Sequence, residues 1–554
     1  MIHSKVCKNC HQNFSITESD TAFYKKIAVP EPTHCPDCRL QRRMAFRNER
    51  NLFKRQCDLC HKEIVSFFGA DVPFPVYCSP CWWSDKWDPL EYSRDFDFSR
   101  PFFPQLKELF YVVPKTAFLQ LANENSDFNS LLAYSKNTYM SPGSYNMEDC
   151  YYARKSQYCK DCLNSQSLFQ CELISGSTNC RNCYGSYYLI NCRNCSDCRY
   201  MADCSSCQYC FMCSGLNNKK FHIKNKPYSE AEYKKIVAAY LKRNPDDLAR
   251  EFQEFNQTIP KKFQTQMNCE NSSGDYLQNC KNTLESYDCF DIEDSKYLVE
   301  CVTVKDSMDL CMHDKEIELC YEMSSGGESN FNTKFCFFSC AAPNSQYLYS
   351  CFYLSDSFGC DGFHAKQSHC ILNKKYSKEE YAAMKARMIE HMKKAQEYGE
   401  FFPLELALHP YNVSVAADYF PLTKEEALAK NCVWQDKDPA HYQAATCVLP
   451  LSIEDVPDSI TKEILACQAV KSDGQICGKN YRIIQQELNL SRKIGVPLST
   501  FCPDCRQLAL QKLKNTRKLW QRKCAKCGTG IETTYSPDRP KKVYCEKCYL
   551  AEVY

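Results

Sequence analysis

Residues 34–57 read HCPDCRLQRRMAFRNERNLFKRQC, and residues 501–524 read FCPDCRQLALQKLKNTRKLWQRKC. Working outward, Cys10, Cys35, Cys38, Cys57, Cys60, Cys78 and Cys81 recur 467 positions later as Cys477, Cys502, Cys505, Cys524, Cys527, Cys545 and Cys548. The flanks repeat as well, with VYC at 76–78 and again at 543–545. Chance does not reproduce six consecutive intervals, so one module stands at both ends of the chain.

Each module reads as two fused four-cysteine sites. Cys7-x2-Cys10 pairs with Cys35-x2-Cys38, and Cys57-x2-Cys60 with Cys78-x2-Cys81. Two such turns complete a closed tetrahedron, the geometry of structural zinc rather than catalytic zinc. In the C-terminal copy the fourth ligand is Cys467, separated from Cys477 by nine residues with VKSDG inside that loop. Four Zn2+ ions are therefore expected, with disulfides as the alternative. His11, His34 and His61 adjoin ligands, but four thiolates already saturate a metal, so they read as turn residues. The stretch 39–55 lacks Gly and Pro and reads as a helix starting on Cys35 and Cys38. Knuckle, hairpin and ligand-bearing helix is the treble-clef order. Over about its first 45 residues the chain resembles the "probable zinc-ribbon" family of small bacterial domains.

The 554 residues are enough for several domains, and 42 cysteines far exceed ordinary usage. The N-terminus, MIHSKVCKNC, has no apolar signal core, and no apolar run reaches spanning length. Cysteines in such a chain are expected to be reduced or metal-bound, in the cytoplasm. Net charge is +2, but unevenly spread. Residues 467–554 carry 17 Lys+Arg against 7 Asp+Glu, and residues 256–370 carry 8 against 17. A basic end and an acidic middle fit different partners, or each other.

The middle is a repeat. From Leu132 through Cys150, Cys171, Cys192 and Cys213 to Leu216, every third residue is small or apolar. The positions between hold mostly Tyr, Arg, Lys, Asp, Asn and Glu. Cys150, Cys171, Cys192 and Cys213 are 21 apart, which predicts a β-solenoid of about 21 residues per coil. Its inward Ser and Cys resemble the tight β-solenoid of beetle antifreeze proteins; the threonine rows of that family's ice face are absent, so the resemblance implies geometry and not activity. A second, acidic block runs from Cys269 to Cys370 in looser register, with a bulge or loop expected at Gly326-Gly327. Both blocks end in capping boxes, Ser229 with Glu232 and Ser377 with Glu380, which start helices that cover the last strand edges.

The expected fold is multidomain and mainly β. It comprises a twin treble-clef module at 1–115, a first Cys-rich β-solenoid with capping helix at 116–255, and a second at 256–398. A connector at 399–466 and a second twin treble-clef module at 467–554 complete it. With EYGEFFPLEL, YFPLTKEEA and the CPDCR…RKLW…VYCEKCY run, nearly the whole chain resembles large cysteine-rich zinc-ribbon proteins of candidate-phyla bacteria, a resemblance that implies no activity.

Arg39, Arg43, Arg47, Arg50 and Lys54 step by three or four, as one helical face would. Arg506, Lys514, Arg517 and Arg522 hold related places in the C-terminal copy. Such a stripe suits RNA or a ribonucleoprotein; a solvated face, or one paired with the acidic block, is the alternative. Outward tyrosines such as Tyr151, Tyr158, Tyr187, Tyr188, Tyr200 and Tyr209 either shield the sheet or bind a partner. The Cys192–Cys213 cluster admits extra Zn or an Fe–S cluster, but buried thiols packing as small hydrophobes are favoured. Phosphate loops, nucleophile elbows, HExxH and deaminase spacing are all missing from the sequence, so no enzyme is expected. The chain thus reads as a non-catalytic structural-zinc protein contacting RNA or a ribonucleoprotein. The alternatives are a protein-protein scaffold and a thiol-rich metal or redox buffer. No membrane is expected as a partner, and oligomeric state is open.

Overall fold

The structure is a computed structural model that describes residues 3–126, 128–436, 443–470 and 474–553. Lys471–Asp473 of the VKSDG loop and residues 437–442 of the expected connector lie outside the described residues. The protein is multidomain and strand-rich, and the chain divides into two compact units. Unit 1 holds Met1–Phe118, Gln264–Asp436 and Arg517–Leu519; unit 2 holds Leu119–Phe263, Lys437–Thr516 and Trp520–Tyr554. The N-terminal zinc module therefore shares a unit with the second repeat block, and the C-terminal module with the first.

In unit 2 the first block forms two runs of parallel strands. A three-stranded run holds Gln120–Leu121, Leu132–Ala133 and Ser144–Tyr145; an eight-stranded one starts at Tyr151–Arg154 and ends with an antiparallel Lys226–Pro227. Every parallel pairing steps by 12 residues: Tyr151 faces Leu163, Lys160 faces Glu172, Gln208 faces Lys220. The 21-residue coil is thereby corrected to 12. A 12-residue rung has four inward positions three residues apart. Cysteines 21 apart share that multiple of three but sit at different corners. The inward series itself holds: each member from Leu132 to Cys213 is buried, and Leu216 is partly so.

Backbone geometry explains the period of three. From Tyr134 to Lys224 every third residue, the one before each inward position, has positive φ. That conformation costs most L-residues roughly 1–2 kcal/mol, and Asn, Asp and Gly least. Hence the dipeptides Asp149-Cys150, Asp161-Cys162, Asn179-Cys180, Asn182-Cys183, Asn191-Cys192 and Asn194-Cys195. The corner amides then bond from rung to rung: Asn179 donates to Asn191 at 3.2 Å, and Asn191 to Asp203 at 2.9 Å.

Inward Ser and Cys have a matching reason. The Ser177 hydroxyl donates to the Ser175 carbonyl at 2.9 Å and accepts the Leu189 amide of the next rung at 2.9 Å. Cys150 donates to the Glu148 and Cys159 carbonyls at 3.2 and 3.5 Å. A small side chain with one donor and one acceptor closes backbone bonds that the tight corner leaves open. Replacing buried Ser177 by Lys should cost about 3–5 kcal/mol, since an unpaired charge enters the core. Asn179→Lys should cost only about 1–2 kcal/mol, for the left-handed corner. Urea denaturation of both variants checks this; equal costs would contradict the inward assignment.

In unit 1 the second block starts with pairings 11 or 12 residues apart and slips to 13 after a bulge facing Val302–Val304. The 13-residue step recurs across Gly326-Gly327, where Ser324 faces Phe337. Both capping boxes form, opening the helices Glu230–Tyr240 and Lys378–Lys394. Tyr233 packs on Phe221, and Tyr381 on His369.

Candidate metal centres

Four groups of cysteine sulfurs lie within 4.8 Å of one another: Cys7, Cys10, Cys35 and Cys38; Cys57, Cys60, Cys78 and Cys81; Cys467, Cys477, Cys502 and Cys505; Cys524, Cys527, Cys545 and Cys548. Each is built alike. A hairpin supplies the first pair, such as His3–Val6 with Asn13–Ile16, and a helix N-terminus the second, such as Pro36–Ala45 with Cys35 at its N-cap. Cys78 and Cys502 are N-caps too. In all four sites the amide of the third ligand donates to the sulfur of the first: Cys35 to Cys7 at 3.3 Å, Cys78 to Cys57 at 3.2 Å, Cys502 to Cys467 at 3.2 Å and Cys545 to Cys524 at 3.3 Å. Cys467 and Cys477 lie on opposite arms of a longer hairpin, Leu465–Ala466 with Asn480–Tyr481, where the Cys467 amide donates to Lys479 and the Cys477 amide to Ala469, which accommodates their wider spacing.

These donors favour thiolate. Burial alone would raise the Cys7 thiol, but amides of Cys10, Cys35 and Asn9 outweigh it and bring it down to about 6. The same balance brings Cys57 to about 7 and Cys524 to about 6. Cys35 shifts up, through Cys38 first and burial second, so a divalent cation is what would draw all four into thiolate form. Four sulfurs at mutual contact with amide donors fit zinc, one ion per site. His11 and His61 sit at positive φ in the knuckles, where the C-terminal copy has Gly528. His34 bonds Thr33 and Glu400. All three histidines thus occupy turns beside the metal sites.

The basic stripe requires correction. The helix ends at Ala45, and Phe53–Gln56 is a strand paired with Glu63–Ser66. The Asn48 side chain accepts the amides of Arg50 and Asn51, turning the chain out of the helix. Arg39 and Arg43 are each 1% exposed and share buried Asp309, at 2.8 and 3.1 Å. Arg42 bridges Glu322 and Glu400 at 3.1 and 2.6 Å. Arg47 bonds Glu49 and Ser325, and Arg50 grips Asp418 with two bonds. Burial pushes the Glu400 carboxyl up, but Arg42 and His34 win and hold it well below the usual carboxylate range. These arginines seat the module on the acidic block; they are not offered to phosphate. Lys54 alone of the five is exposed.

Unit 2 repeats the device. Arg506 bonds the Phe501 carbonyl at 2.6 Å, as Arg39 bonds that of His34 at 2.7 Å, and then pairs with buried Glu487 at 2.6 Å and Asn164 at 3.2 Å. Lys514 is buried, and Arg522 donates to the carbonyls of Tyr535, Ser536 and Lys541. Arg517, in unit 1, pairs with Asp288 and Glu300.

Two buried lysines are a further part of this seating that the cysteine pattern does not reveal. Lys115–Thr116 pairs in parallel with Val76–Tyr77, and Lys261–Lys262 with Val543–Tyr544. Lys115 donates to Asp361 at 2.6 Å and to the Phe110 and Val113 carbonyls; Lys261 reaches Asp203 at 2.7 Å, Ser214 and Asn256. The signal is the shared VPK at 113–115 and IPK at 259–261.

His409, stacked on Phe68 at 4.7 Å, is pushed down to about 3 by burial. Its folded value lies below the unfolded one near 6.5, so its contribution to stability is full above about pH 6.5 and lost as pH falls toward 3. Unit 1 of His409→Phe should therefore lose less stability between those pH values than the parent, measured by denaturation with zinc held in excess. Parallel loss in both proteins would contradict this.

Residues 3–47 match the model of the family described as "Probable treble clef domain". A solved structure from Desulfovibrio desulfuricans G20, provisionally described as an acetyltransferase, aligns over 51% of this chain and 77% of its own, at 10% identity and a TM-score of 0.09. So low a score carries no argument about fold or activity.

Proposed function

We propose that the chain is a non-catalytic cytoplasmic scaffold. Four structural zinc ions hold two terminal modules, each seated on a β-solenoid of about 12 residues per coil, and the first solenoid presents a contact face to a protein partner. The observation that carries this is an exposed aromatic row. Tyr134, Tyr145, Tyr158 and Phe169 follow one another at centroid distances of 5.3, 5.8 and 5.7 Å, and Arg181 lies over Phe169 at 5.2 Å. Tyr134 is 50% and Tyr158 46% exposed. Of the other outward tyrosines, Tyr151 is buried, Tyr187, Tyr188 and Tyr200 pack around Phe252, and Tyr209 is exposed but stacks on Phe221, outside this row. In the row, Tyr145 and Phe169 are half-buried between and beside Tyr134 and Tyr158, and a file of aromatics with every second ring in water suits a contact surface.

RNA binding through the basic residues has lost most of its support, because most of them are paired inside the units. The resemblance to large cysteine-rich zinc-ribbon proteins of candidate-phyla bacteria supports the layout and supplies no activity. Among the described residues no helix is long and apolar enough to cross a membrane. The test is a photoreactive phenylalanine in place of Tyr158 in the native host. Crosslinks to one polypeptide, lost on Tyr134→Ala with Tyr145→Ala, are expected. Crosslinks to RNA, or none, would overturn the scaffold.

A further inference from the structure

The 12-residue register stacks cysteines in a way their sequence order hides. Cys159, Cys171, Cys183, Cys195 and Cys207 fall at one corner of five successive rungs. All five are at most 2% exposed. Cys171 interacts with Cys159 and Cys183, and Cys195 with Cys183 and Cys207. The other corners are mixed. One runs Cys150, Cys162, Ile174, Ser186, Cys198, Cys210; another Ala153, Ser165, Ser177, Leu189, Met201, Cys213. Serine there makes the same backbone bonds that cysteine makes, so hydrogen bonding does not by itself call for sulfur at every rung of one corner.

Adjacent strands lie roughly 4.8 Å apart, so Cys171, Cys183 and Cys195 each have one column sulfur above and one below, and Cys159 and Cys207 end the column. That is a line, unlike the four terminal tetrads in which four sulfurs converge. Linear two-sulfur coordination suits a soft monovalent ion, and thiolates select copper(I). Charge also closes: each Cu+ entering a gap displaces one thiol proton, so a filled column stays neutral and its burial carries no net-charge penalty.

We propose that the Cys159–Cys207 column is a copper(I) site, with one ion bridging each pair of stacked sulfurs. The experiment offers copper(I), as its acetonitrile complex, to the full-length zinc-loaded chain without oxygen, both folded and during refolding with zinc present. About four copper ions beyond any zinc released are expected, with two sulfur neighbours each by X-ray absorption. The Cys171→Ser, Cys183→Ser, Cys195→Ser variant should keep its zinc and its melting temperature, since serine fills like corners, and lose that copper. Copper uptake equal to zinc release, the same uptake by the variant, or no uptake in either arm would overturn the site.

Discussion

Stripping zinc at neutral pH should melt both terminal modules while the parallel blocks keep their fold. Each module is a set of short hairpins and helices around cysteine tetrads, and two-stranded hairpins this short are marginal without the metal that closes them. Metal binding of about 10–16 kcal/mol per site is then the bulk of their folding free energy. The blocks rest instead on backbone ladders and on inward residues that bond carbonyls directly. Hydrogen exchange after chelation should therefore collapse at His3–Val6, Asn13–Ile16 and Trp520–Lys523 and persist at Lys160–Gln166. Returning zinc should restore protection. Persistent protection at the hairpins without metal would contradict a structural role for zinc.

Asp309→Ala should destabilise unit 1 by about 3–5 kcal/mol, because it leaves Arg39 and Arg43 buried without their shared carboxylate. Glu322 is 3.6–3.7 Å from both and only partly compensates. Glu487→Ala should do the same to unit 2 through Arg506. Replacing Arg39, Arg43, Asp309 and Glu322 together by apolar residues should cost less than Asp309→Ala alone, since Arg42 and Glu400 remain as a pair and no uncompensated charge is left. Charge reversal at Arg43 should likewise unfold the module rather than adjust an affinity. Chemical denaturation decides; a cost near zero for Asp309→Ala would mean the arginines are not seated as described.

The zinc ligands are legible in the sequence because a metal fixes spacing and residue type together. The inward series is legible because burial at every third position admits few charges. The rung length is not, because composition varies among the four corners and the cysteine identities happen to recur at 21. The missed signal is the residue before each inward one: Asn and Asp there mark left-handed corners such as Asn191 and Asp203. The arginine stripe misleads for a different reason. A basic face looks the same in sequence whether it meets phosphate, water or Asp309, and only tertiary contact separates these cases. The helix at Glu18–Lys26, opened by a Thr17–Asp20 capping box, was available to sequence reasoning on the same grounds as Ser229 and Ser377.

The most direct test counts zinc and thiols on one sample purified without oxygen. The predicted result is four zinc ions per chain by elemental analysis and, after denaturation and chelation, all 42 cysteines titrating as free thiols. Zinc near zero with a thiol count well short of 42, disulfides replacing the tetrads, would contradict it.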